Sequence, residues 1–124
     1  LIRKMFALMS GGVRALIPVM PITDTLYILD KSEDGQNDLL PLATAPDAEV
    51  PDRSRLFGAQ TPQMFRSEDI KAAYRDTGFR IDFTDDASVA RAYKIPLSYI
   101  AGERFNIKIT TPEDLSLAEL LLTF

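Results

Sequence analysis

Lys108 is the residue whose neighbours most constrain its chemistry. Ile107 and Ile109 flank it, so in a strand they share one face and Lys108 points to the other. In a sheet covered on both faces, a lysine there is costly unless it meets an anion. Just beyond lies Thr111-Pro112-Glu113-Asp114, a helix opening. Thr111 can cap, Pro112 suits the first helical position, and the acids suit the positive end of the dipole. A helix N-terminus offers N–H donors to phosphate, so an anion site at Lys108 is one reading. A solvated lysine guarding a strand edge is the other, and it explains the residue equally well. Two more stretches draw attention: Thr61-Pro62-Gln63-Met64-Phe65, preceded by Asp52-Arg53 and Leu56, and Thr84-Asp85-Asp86-Ala87-Ser88. Taken singly, the first is a turn and the second a helix cap.

Composition removes several kinds of chemistry. The 124 residues contain no Cys and no His. That excludes a disulfide framework, a thiolate zinc site, a Cys nucleophile and a Ser-His-Asp hydrolase. Fourteen basic against eighteen acidic residues leave a net charge of −4, which argues against a nucleic-acid coat protein. The longest apolar runs, such as Ala15–Pro21, fall well short of the roughly 18 residues that would span a membrane. A cytoplasmic location is the expectation, or a plastid one in a plastid-bearing organism.

The elements that must position these residues follow from periodicity. Ile2, Met5, Phe6 and Met9 keep helical spacing over Leu1–Ser10, with Gly11-Gly12 as the stop. The pattern opens as though a helix were entered partway, which suggests the C-terminal piece of something longer. Ala15–Met20 reads as a buried strand made irregular, or placed near an edge, by Pro18. Thr25–Leu29 and Leu56–Gln60 read as strands bracketing a long polar excursion, and their pairing would make a protruding arm over 25–60. The insert at about 30–49 should be mobile. Ser67 is expected to cap a helix through Asp76 that turns Ile70, Ala73 and Tyr74 to one face, with Gly78 after it. Thr84 or Asp85 should cap a second helix through Tyr93. Strands are expected at Leu97–Ile100 and Asn106–Thr110. A last helix, Pro112–Leu122, should bury Leu115, Ala118, Leu121 and Leu122. This order predicts an α/β domain with a mixed sheet.

In order and near-spacing, these segments resemble the C-terminal half of the 2-C-methyl-D-erythritol 4-phosphate cytidylyltransferase family. The resembling residues are Pro21–Leu26, Asp52–Leu56, Gln60–Phe65, Phe83–Ser88 and Gly102–Leu115. The resemblance implies a Rossmann-like nucleotidyltransferase fold. It further implies transfer of CMP from CTP to the phosphate of methylerythritol phosphate, with release of pyrophosphate and with Mg²⁺, in non-mevalonate isoprenoid synthesis. It also implies a homodimer in which a β-arm enters the partner's site. By position, Thr25 and Arg53 match residues of the arm that hold substrate in the neighbouring subunit, while Thr84 and Lys108 match substrate and phosphate contacts within the subunit. Arg53 and Lys108 are the expected catalytic pair.

The family's Gly-rich triphosphate loop and its acidic metal-binding strand end have no counterpart in this sequence. Gly11-Gly12 follows a helix rather than joining a strand to one. The CTP-binding half and the Mg²⁺ ligands are therefore expected outside these residues, and the chain alone is expected to be inactive. The alternatives are a sister enzyme acting on ribitol phosphate, or a non-catalytic dimerisation or binding module.

Overall fold

A computed structural model of the chain describes residues 1–29, 48–78 and 82–124. It comprises two compact units: Leu1–Met20 with Gly58–Phe124, and Pro21–Phe57. The expected mobile insert falls almost wholly outside the described residues.

The first unit is an α/β layer built on one strand. Helix α1, Ile2–Ser10, buries Met5 and ends at Gly11, and Gly12 takes a φ of 101°, which glycine alone adopts without strain. Strand β1, Ala15–Pro21, follows. Ala15, Leu16, Ile17 and Pro18 are all buried, although successive side chains point to opposite faces, so β1 is covered on both. It is also paired on both edges. On one side lie β2, Phe57–Ala59, and β3, Met64–Phe65; β3 is antiparallel, with Leu16 opposite Met64. On the other lies β4, Ser98–Ala101, parallel, with Ile17 opposite Tyr99. The sheet is mixed, as expected.

Pro18 therefore occupies a central strand, not an edge. The Pro18 carbonyl accepts from the Gln60 N–H at 2.8 Å, so the N–H that proline lacks would point to the same neighbour. There the neighbouring strand is interrupted. From Gln60, bonded to Pro18, to Met64, opposite Leu16, the chain takes four steps while β1 takes two. The surplus residues leave the ladder at Thr61–Gln63, a bulge of the kind that accommodates a missing donor. The edge towards β4 keeps its bonds, including Gly102 N–H to Val19 O at 2.8 Å.

Helices α2, Ser67–Asp76, and α3, Asp86–Ala92, complete the core. Ala15, Ala73, Val89, Ala90 and Ile95 are buried together, with Phe65, Ile70, Tyr74, Phe83 and Leu97 packed around them. The spacing of Ile70, Ala73 and Tyr74 had placed them on one face. The cap differs: Arg66, not Ser67, precedes the helix. The Arg66 N–H donates to the Arg14 carbonyl, which keeps Arg66 extended and makes Ser67 the first helical residue. Arg14 in turn grips Asp69 with two bonds of 2.9 and 2.8 Å.

Two expected elements are absent among the described residues. Asn106–Thr110 belongs to no strand, because the chain leaves the sheet at Gly102 and the segment has no ladder partner. Thr25–Leu29 is not a strand paired with Leu56–Gln60. In the second unit Ile28 bridges Glu49 and the Ile22 N–H donates to the Leu56 carbonyl, while the Gln60 N–H donates to Pro18 of β1. The final helix, α4, Pro112–Leu121, forms where expected but buries none of its residues. Leu115 is 51% exposed and Leu122 86%, against the expectation that both are core.

Leu16 and Leu122 consequently test the packing in opposite senses. In the isolated chain, Leu16→Ala should cost about 2–5 kcal/mol in denaturant unfolding, and Leu122→Ala should stay within roughly 0.5 kcal/mol. Equal costs would contradict this assignment of the core.

Candidate functional site

The residues singled out by sequence fall into the two units. Thr25 and Arg53 belong to the second. Thr25 is exposed outside any strand. Arg53 lies not on a return strand but in a 3-10 turn, Arg53–Arg55, capped by Asp52, whose carboxylate accepts from the Ser54 N–H at 3.0 Å. The Asp52 carboxyl is held below its ordinary value by the Ser54 hydroxyl and backbone bonds. Arg53 donates from Nη1 to the Thr23 carbonyl at 2.8 Å. That single bond leaves most of the guanidinium's donors for an anion.

Thr84 and Lys108 belong to the first unit. Thr84 is exposed at the entry to α3, and its hydroxyl lies 3.3 Å from that of Ser88. Asp85 rather than Thr84 caps the helix, accepting from the Ser88 N–H at 2.8 Å. Gln63 reaches the same point from the strand interruption, donating to Asp85 Oδ2 at 2.9 Å and accepting from the Ala87 N–H at 3.2 Å. Burial pushes the Asp85 carboxyl up, but the bonds from Ser88 and Gln63 outweigh it and hold the group below its ordinary value. The cap therefore stays ionised, and Thr84 stays free of the capping role.

Lys108 is exposed and has no hydrogen-bond or ion-pair partner among the described residues. The case for an anion based on a covered sheet fails, since no sheet surrounds it. The amino end of α4 is likewise taken. Asp114 Oδ2 accepts from the N–H groups of Thr110 and Thr111, both at 3.0 Å, and Thr111 accepts from the Asp114 N–H. This is the capping box expected from Thr111-Pro112-Glu113-Asp114. A protein carboxylate already sits where a phosphate would use those donors.

Gln60 and Gln63 were not among the sequence candidates. Gln60 is half-buried and spans to the loop after β4, donating to the Glu103 carbonyl at 2.9 Å and accepting from the Glu103 N–H at 3.1 Å. Two amides bracketing a Thr-Pro step were the available signal, but only the fold shows that they reach opposite ways. Among the described residues, no three acidic groups gather to hold a metal ion. The described residues do not fit a Mg²⁺ site, and no step is derived through one.

The mixed sheet and its helices define the class, an α/β protein, whose architecture is shared with solved nucleotidyltransferases. The chain superposes on the crystal structure of 2-C-methyl-D-erythritol 4-phosphate cytidylyltransferase from Thermus thermophilus with a TM-score of 0.69 and 30% identity, covering 94% of this chain and 52% of that one. The profile of the 2-C-methyl-D-erythritol 4-phosphate cytidylyltransferase family, IspD, matches residues 1–124. The chain belongs to that family. It is 36% identical over 121 residues to the bifunctional IspD/IspF enzyme of Rhizobium rhizogenes, covering 96% of this chain and 27% of that protein. It is 50% identical over 70 residues to the cytidylyltransferase of Dehalococcoides mccartyi, covering 56% of this chain and 30% of that protein. The chain spans between 25% and 42% of the length of the curated relatives it matches.

The capping box also has a pH signature. The backbone and hydroxyl of Thr110, then those of Thr111, hold the Asp114 carboxyl below its ordinary 3.8. A depressed aspartate contributes fully above the ordinary value and is lost as pH falls through the lowered one. In an NMR titration the Thr110 and Thr111 amide shifts should therefore inflect below pH 3.8, and Asp114→Asn should abolish the inflection. An inflection at or above 3.8 would contradict the bonding.

Proposed function

We propose that the protein carrying this chain transfers CMP from CTP to 2-C-methyl-D-erythritol 4-phosphate, and that these residues supply acceptor contacts. The observation that carries the reading is the family match over all 124 residues, with two exposed cations at the positions the family's pattern assigns. In the reaction, an oxygen of the acceptor phosphate attacks the α-phosphorus of CTP. A new P–O bond forms, the bond to the β-phosphate bridge breaks, and pyrophosphate leaves with the electron pair. The nucleophile is a phosphate monoester already ionised near neutral pH, so no base is needed, and a chain without His meets that requirement. Two anions must be held in line against their repulsion, which calls for charge neutralisation and alignment.

In this reading Lys108 and Thr84 meet the acceptor from their own subunit, and Thr25 and Arg53 meet it from the partner of a homodimer in the cytoplasm. The Arg53 fork fits phosphate geometry, and the Lys108 ammonium is a point charge. Mg²⁺ and the triphosphate contacts come from residues outside this chain. The coverage of the relatives is a length and not a position along them. It does not support assigning the chain to a C-terminal half, and the proposal does not depend on that assignment.

Kinetics of Lys108→Ala and Arg53→Ala in the full-length protein test the proposal. Charge-assisted bonds contribute about 1.5–3 kcal/mol each, so each variant should lose at least about tenfold in kcat/KM. Mixing the two variants should restore activity, because a heterodimer would hold one site with both residues intact. Near-normal turnover in each variant would refute the site assignment. Absence of recovery, with both variants folded and exchanging subunits, would refute the shared site.

A further inference from the structure

The strand interruption at Thr61–Gln63 feeds two amide side chains into the two segments that carry Thr84 and Lys108. Towards Lys108, the Gln60 amide saturates the loop after β4. Nε2 donates to the carbonyls of Glu103, at 2.9 Å, and Asn106, at 3.3 Å, while Oε1 accepts from the Glu103 N–H at 3.1 Å. Asn106 closes the ring, donating from Nδ2 to the Thr61 carbonyl at 2.5 Å and to Gln60 Oε1 at 3.4 Å. Lys108 is two residues further on. Gly102 is a second, independent sign of this close approach: a Cβ there would overlap Gln60 Oε1 and stand 3.3 Å from Met20 Cγ. Only a residue without a side chain lets the amide lie across the loop. Towards Thr84, Gln63 holds both the cap Asp85 and the first-turn N–H of Ala87.

We infer that Gln60 and Gln63 are positioning residues for the acceptor, setting where Lys108 and Thr84 stand without touching substrate themselves. Segment 103–110 has no ladder of its own. Its backbone groups at 103 and 106 are bonded instead to a side chain on the neighbouring strand, so the amide takes the place of a strand partner. An extended loop held this way keeps a flexible lysine within reach of one phosphate position, and orientation of that kind governs acceptor binding and alignment. This inference rests on the reading of Thr84 and Lys108 as acceptor contacts.

The test uses Gln60→Met in the full-length protein, a change that keeps the side chain's length and removes its donors and acceptor. Amide exchange at Glu103, whose N–H loses its acceptor, should accelerate at least about tenfold. The acceptor KM should rise about tenfold while the CTP KM moves less than twofold, with each lost bond contributing a share. A purely structural role would move both KM values together or neither, and either result overturns the inference. Unchanged exchange at Glu103 overturns it too. Should Gln60→Met not fold, Asn106→Ala carries the KM test alone, because it removes the bonds to Thr61 and Gln60 while the Glu103 N–H keeps its acceptor. If the unaltered protein transfers no CMP, the proposed function fails by itself. Exchange at Glu103 and Asn106 then decides alone whether the amide holds the loop, and unchanged rates reject it.

Discussion

Every other strand among the described residues pairs with Ala15–Pro21, and this strand is buried on both faces. Such a strand can contain little but apolar residues, and it tolerates a proline only where the missing donor has no obligatory partner. Pro18 meets that condition because the adjacent strand breaks beside it. Much follows from the break. It ends one run of ladder at Gln60 and starts the next at Met64, and it frees two glutamine side chains that a regular strand would have aligned with its neighbours. An apolar constraint in the core thereby sets the polar architecture at the edge.

The proposed function calls for placement of charge and needs no proton transfer. Lys108 and Arg53 are both exposed. Neither forms a salt bridge among the described residues. Three acids near the candidate segments serve as caps: Asp85 caps α3, Asp114 caps α4, and Asp52 caps the turn that carries Arg53. Each is held below its ordinary value by local donors. Three carboxylates thus stabilise backbone termini.

Features decided within a few residues were legible in the sequence. The capping box at Thr111-Pro112-Glu113-Asp114, the glycine stop after Ser10 and the shared face of Ile70, Ala73 and Tyr74 depend on bonds and spacing within one or two turns. So did the α/β class and, through the ordered set of motifs, the family. Features needing a distant partner were not legible. Asn106–Thr110 alternates like a strand, yet its neighbours in space are the side chain of Gln60 and the carbonyl of Thr61. Leu56–Gln60 is extended too, but Phe57–Ala59 pairs with β1 and not with Thr25–Leu29. Alternation states that a segment is extended and leaves open what it pairs with.

Pattern and composition alone therefore determined which chemistries were impossible and where the last helix begins. Those depend on residue identity and on contacts between near neighbours. Tertiary structure alone decided that Pro18 sits at the centre of the sheet, that Lys108 stands outside it, that Leu115 and Leu122 remain exposed, and that Gln60 holds the loop leading to Lys108. Each of these depends on residues some forty or more positions apart being brought to within a hydrogen bond of one another, or on no described element covering a helix face. Local physical chemistry places no limit on either.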